Sequence, residues 1–96
     1  MVIRRAVLDV LTPHEPDIVV LAEKINELDG VHGVNVHVLE QDDKTKTLGV
    51  TIEGEALSIE LIRGVVEELG GAVHSIDEVS TGRRIVEHKA QNAEGA

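Results

Sequence analysis

Apolar and polar residues recur along this chain in two distinct periods, and together they predict six elements. Residues 2–12 are rich in Val, Leu and Ile and read as a strand closed by Thr12-Pro13. Pro16 then sits where the first turn of a helix tolerates proline, and Asp17 adds negative charge at that end. From there Ile18, Leu21, Ala22, Ile25 and Leu28 repeat at helical spacing until Asp29-Gly30 stops the run. The period then switches to two. Val34, Val36 and Val38 alternate with Asn35 and His37, Asp42-Asp43-Lys44 makes a turn, and Leu48, Val50 and Ile52 alternate with Thr47, Gly49 and Thr51. Those two runs predict an antiparallel hairpin with one buried face.

A second helix is predicted from Ser58, a good N-cap, with Ile59, Ile62, Val66 and Leu69 as its apolar stripe and Gly70-Gly71 as its stop. A last strand covers about 72–80. Its phase is split, because Ile76 belongs to one face and Val73 and Val79 to the other, and a bulge near Ser75 would reconcile them. A shift of 41 residues lays Ile18, Leu21, Ile25, Leu28 and Gly30 on Ile59, Ile62, Val66, Leu69 and Gly71. Two strand–helix–strand halves of this kind predict an α+β, ferredoxin-like βαββαβ sandwich. Its four-stranded antiparallel sheet carries both helices on one face, and the first and third strands are central. The domain is expected over residues 1–88, with 89–96 a polar, disordered tail.

Composition narrows the function classes. The chain has 96 residues, enough for one core but with little to spare. It has no cysteine, which excludes disulfides, thiolate metal sites and cysteine nucleophiles. Phe, Tyr and Trp are also absent, so there is no platform on which bases or sugars could stack. A formal charge of −9 argues against nucleic-acid or anionic-membrane partners. Arg4-Arg5 followed by an apolar run resembles a signal peptide, but Asp9 and Pro13 break the run, and no stretch is long enough to span a membrane. A cytoplasmic protein is expected.

Several strings resemble one archaeal family of uncharacterised proteins, domain of unknown function 211. They are Leu8-Asp9-Val10-Leu11, Pro13-His14-Glu15-Pro16, Ile52-Glu53-Gly54, Glu68-Leu69-Gly70-Gly71, His74-Ser75-Ile76-Asp77-Glu78-Val79 and Gly82-Arg83-Arg84-Ile85-Val86. The resemblance runs over about residues 2–88 and is most specific from His74 to Val79. It implies a ferredoxin-like subunit that assembles into ring-like homo-oligomers, and it implies no reaction and no catalytic residue.

Candidate chemistry depends on how the first and last strands pair. If Arg4-Arg5 lie opposite Arg83-Arg84, Asp9 faces Glu78 or Asp77, and His74 comes near Pro13-His14. Asp9, Asp77 and Glu78, with Glu15, then form a candidate site for Ca²⁺ or Mg²⁺, since neighbouring carboxylates disfavour one another's charge until a cation joins them. The plain alternative is solvated carboxylates, or pairs with Lys or Arg across a subunit contact. Arg4, Arg5, Arg83 and Arg84, with His14 and His74, form a candidate site for an anionic small molecule, against the alternative that they pair with a neighbour's acids. His32 and His37 fall on opposite faces of a regular strand, a poor spacing for a shared zinc. The run Asp42–Glu53 fails as a calcium loop because Thr47 stands where glycine is required, and the nine glycines nowhere form a phosphate loop.

The sheet face away from the helices is expected to show Val7, Leu11, Leu39 and Val73 among Asp9, Asn35, His37, Thr47 and Thr51. A mixed face of that kind, with open sheet edges, is usually covered by another subunit. Arg84–His88 could add to a neighbour's edge or fold back on its own subunit. The expected function is therefore a self-assembling, non-enzymatic domain that binds a small ligand or divalent cation near a subunit boundary. The alternatives are a metal-dependent enzyme built on the carboxylates, and a purely structural ring.

Overall fold

The computed structural model describes residues 2–88, and the tail expected to be disordered at 89–96 lies outside them. The elements are β1 (Ile3–Pro13), α1 (Ile18–Asn26), β2 (Val31–Gln41), β3 (Thr45–Gly54), α2 (Ile59–Glu68) and β4 (Ala72–Thr81). The strands form one four-stranded sheet in the order β2-β3-β1-β4, with every neighbouring pair antiparallel. The chain thus adopts the ferredoxin-like α+β fold that its two-period pattern predicts.

The central strands make the core because alternation sends every second side chain to the same side. Ala6, Leu8 and Val10 of β1 and Leu48, Val50 and Ile52 of β3 are buried in one cluster with Leu21, Ile25, Leu57, Ile62 and Val66. Both helices contribute to that cluster, so both lie on the same side of the sheet. The core is entirely aliphatic.

Helix starts follow the side chains that cap them. Asp17 caps α1 by accepting from the Val19 and Val20 amides, so Pro16 stands before the helix rather than in its first turn as the sequence suggested. Ser58 caps α2 through Leu61 N. Where α1 hands over to β2, Gly30 has φ +88° and its carbonyl accepts from Glu55 N at 2.8 Å. A Cβ on Gly54 would overlap that same carbonyl, so both glycines are set by one close backbone approach.

Strand β4 corrects the expected register. Leu8 faces Ile76 and Asp9 faces Ser75, with shifts on either side at Asp77 and at His74. Two extra residues bracket Ser75 where one bulge was expected. The result is that Val73, Ile76 and Val79 oppose Val10, Leu8 and Ala6, so all three stand on the helix side. Val73 therefore leaves the uncovered face and packs against the core. Strand β2 is irregular too, with shifts at His32 and Leu39.

Truncating Ile52 to Ala should cost about 2–5 kcal/mol through the cavity it leaves. Gly54→Ala should cost about 1–3 kcal/mol through the backbone it displaces. Urea unfolding followed by far-ultraviolet circular dichroism measures both, since the chain has no aromatic side chain to report by fluorescence.

Candidate functional site

The sheet side opposite the helices is covered by no secondary-structure element among the described residues. Strand β1 presents Arg5, Val7, Asp9 and Leu11 there, against Glu53, Thr51, Gly49 and Thr47 of β3. Asn35 and His37 of β2 continue two of those rows. Leu39 lies over Gly49, where a Cβ would meet its methyl groups at 3.6 Å, and it remains 54% exposed. The face therefore has an apolar end around Leu11 and Leu39 and a charged end around Arg5.

At the charged end one guanidinium holds three carboxylates. Arg5 Nη2 lies 2.7 Å from Glu53, and its Nη1 lies 2.9 Å from Glu87 and 3.4 Å from Glu78. Glu53 and Glu78 flank Arg5 on β3 and β4, whereas Glu87 belongs to the segment after β4. The hydrogen bond Arg5 donates to Glu87, then that to Glu53, raises the Arg5 pKa still further above its ordinary value, so the charge is permanent. Arg4 occupies the irregularity between Ile3 and Arg5, where it reaches sideways along the backbone. Its Nε donates to the Gly54 carbonyl and its Nη1 to the carbonyls of Gly82 and Arg83. With Gly82 N donating to Val2 O, these bonds fold residues 82–87 back against the start of β1 and onto the open face.

Asp9 lies in the middle of that face. Its Oδ1 is buried and has no hydrogen-bond partner among the described residues. The cause is its neighbours. Gly49 on one side has no side chain, and Ser75 on the other donates its hydroxyl to Asp77 at 2.7 Å. Arg5 stands four residues away, roughly 13 Å along an extended strand, and is held by its three glutamates.

The carboxylates expected to converge do not do so. Asp9 faces Ser75, Asp77 sits in a bulge bonded to Ser75, Glu78 is paired with Arg5, and Glu15 is exposed in the loop before α1. Among the described residues no three His, Asp or Glu side chains group as a metal site would require. The expected arginine cluster takes another form: Arg5 pairs with Ser80 in the ladder, Arg83 and Arg84 lie beyond β4, exposed, and Arg4 meets the Arg83 carbonyl. His14 and His74 are also apart: His14 Nε2 donates to the Asp42 carbonyl at 2.7 Å, and His74 is an exposed bulge residue.

The sequence model of the DUF211 family, described as uncharacterized ArCR, matches residues 4–95. The chain belongs to this family. The uncharacterized protein MJ0319 of Methanocaldococcus jannaschii is 49% identical to it over 85 residues, which cover 88% of each chain. No helix of this DUF211 chain is long and apolar enough to cross a membrane among the described residues.

One residue of the DUF211 chain escaped notice in the sequence. Lys46 is only 8% exposed, on the helix side of β3, and its Nζ donates to the His14 carbonyl at 3.3 Å. Its signal was legible, since Lys46 shares the phase of Leu48, Val50 and Ile52. Together with the His14–Asp42 bond it ties the loop after β1 to the β2–β3 hairpin. Asp42 closes that hairpin by accepting from the Lys44 and Thr45 amides and the Thr45 hydroxyl.

The amide of Thr45, then that of Lys44, holds the Asp42 carboxyl below its usual pKa. A group depressed in the folded state adds stability that is complete above its unfolded pKa and is lost as the pH falls through the folded one. Asp42→Asn keeps the turn's acceptor but not its charge. The variant should therefore lose less stability than the parent between about pH 5 and pH 2, read as the shift in thermal midpoint by circular dichroism.

Proposed function

We propose that this DUF211 chain is a self-assembling, non-enzymatic domain that packs its uncovered sheet face against further copies of itself. Any small ligand or divalent cation it takes is then held at that boundary. The observation that carries this reading is Asp9 Oδ1, a buried carboxylate oxygen without a donor. Leaving such a group unsatisfied costs about 1–3 kcal/mol or more. A surface that brings a donor to it removes that cost and buries Leu11 and Leu39 in the same step.

Two further features support the face rather than the sheet edges as the meeting surface. Both edge strands carry two irregularities each, which twist an edge away from regular pairing. Two of the four arginines that could have clamped an anion are engaged at home, Arg5 by carboxylates and Arg4 by carbonyls. A divalent cation is the second reading, favoured by the same oxygen. Asp9 would be this chain's ligand to it, with the others drawn from a neighbouring copy.

Native mass spectrometry of the purified protein, with and without prior chelation, tests this. A closed oligomer is expected for the parent chain. L39E, which sets a further carboxylate on the face, should shift it to monomer while the circular dichroism spectrum is unchanged. A parent chain that stays monomeric at micromolar concentration overturns the reading. An extra mass lost on chelation assigns the donor to a cation.

A further inference from the structure

We infer that the donor to Asp9 is a guanidinium of Arg83 or Arg84 from a neighbouring copy, so that copies meet head to tail. The inference rests on the self-assembly proposed above and adds the partner group and the symmetry of the contact. It starts from the sign of the charge on the face. Asp9 shares the face with Glu53, Glu78 and Glu87, which gather about Arg5 at its charged end, and Arg5 is the one Lys or Arg among them. Two such faces related by a two-fold axis would set carboxylates against carboxylates, an arrangement that costs several kcal/mol in an interface. The face therefore needs a different, basic surface opposite it.

The chain carries such a surface beside the face. Arg83 and Arg84 are adjacent and exposed, and neither forms an ion pair with another described residue. Their segment is held in place at both ends, by Arg4 on the carbonyls of Gly82 and Arg83 and by Arg5 on Glu87. Val86, next to them, is 76% exposed and supplies apolar surface that Leu11 and Leu39 can meet. A guanidinium fork also suits a carboxylate better than an ammonium does. The other exposed or half-exposed cations with this freedom among the described residues are Lys24 on α1 and Arg63 on α2, which belong to the helix layer, and Lys44 in the β2–β3 turn, whose ammonium lacks the fork. Because the acceptor and the donor are different patches of one chain, their contact is heterologous. It closes into a ring if the rotation between copies allows, and otherwise extends as a filament.

Charge exchange tests the pair by native mass spectrometry and light scattering on the full chain. R83E/R84E and D9K should each weaken association at least tenfold. The combined D9K/R83E/R84E chain should recover it to within a few-fold, because every junction regains opposite charges. D9N, which leaves the shape of the face intact, should weaken association with an unchanged dichroism spectrum, and it stands in if D9K does not fold. If the parent assembles and R83E/R84E assembles equally well, the pair is wrong while self-assembly stands. If K24E/R63E dissociates the assembly instead, the face meets the helix layer. Dissociation of the parent by chelation would assign the donor to a cation and overturn the inference. A monomeric parent would remove both this inference and the function it rests on.

Discussion

The period of two in β1 and β3 is the constraint on which everything else in this molecule depends. These strands lie in the centre of the sheet, and alternation gives each one a face that cannot be chosen freely once the other is buried. Ala6, Leu8, Val10, Leu48, Val50 and Ile52 must go under the helices, since a chain this small has no second set of apolar residues from which to build a core. The intervening Arg5, Val7, Asp9, Leu11, Thr47, Thr51 and Glu53 are then displayed together on the other side. The open face is a by-product of the core, and its composition is what turns a by-product into a surface with chemical demands.

Arg4 and Arg5 show how neighbouring residues of one type divide into different tasks. A shift in the β1–β4 ladder falls at Arg4 and turns it toward backbone carbonyls, while Arg5 keeps the strand's alternation and faces the open side. The pair joins the start of β1 to the segment that follows β4, so both ends of the fold are fastened at the same place. A guanidinium that serves three carboxylates leaves the surrounding potential negative. That is why the charged end of the face holds the chain together and still calls for positive charge from outside.

The fold was legible because its signals are local and repeated: helical spacing from Ile18 to Leu28 and again from Ile59 to Leu69, alternation from Val34 to Val38 and from Leu48 to Ile52. The candidate site was legible only in part. Asp9 could be singled out, and so could the exposure of Val7, Leu11 and Leu39. Its surroundings could not be read, because they depend on the register between the two strands most distant in sequence. Arg5 stands opposite Ser80 rather than the second arginine pair, and the extra residue at Asp77 moves the partner along once more, so Ser75 and not Glu78 lies opposite Asp9. The split phase of Val73, Ile76 and Val79 announced that the strand was irregular, but not how many residues it set aside. Lys46 shows the opposite failure. Its phase placed it on the buried side, and its charge diverted attention from a pattern already in view.

A hydrophobic core made only of Val, Leu, Ile and Ala has a consequence for how this sequence can change over time. Exchanges among branched aliphatic side chains nearly conserve volume and typically cost less than about 1.5 kcal/mol each. Substitutions inside the protein therefore have many nearly equivalent solutions. The backbone approach at Gly30 and Gly54 has none, because any side chain there meets a carbonyl. Drift is thus cheap in the centre of the fold and expensive at its corners, the reverse of the usual expectation that cores are fixed and turns are free.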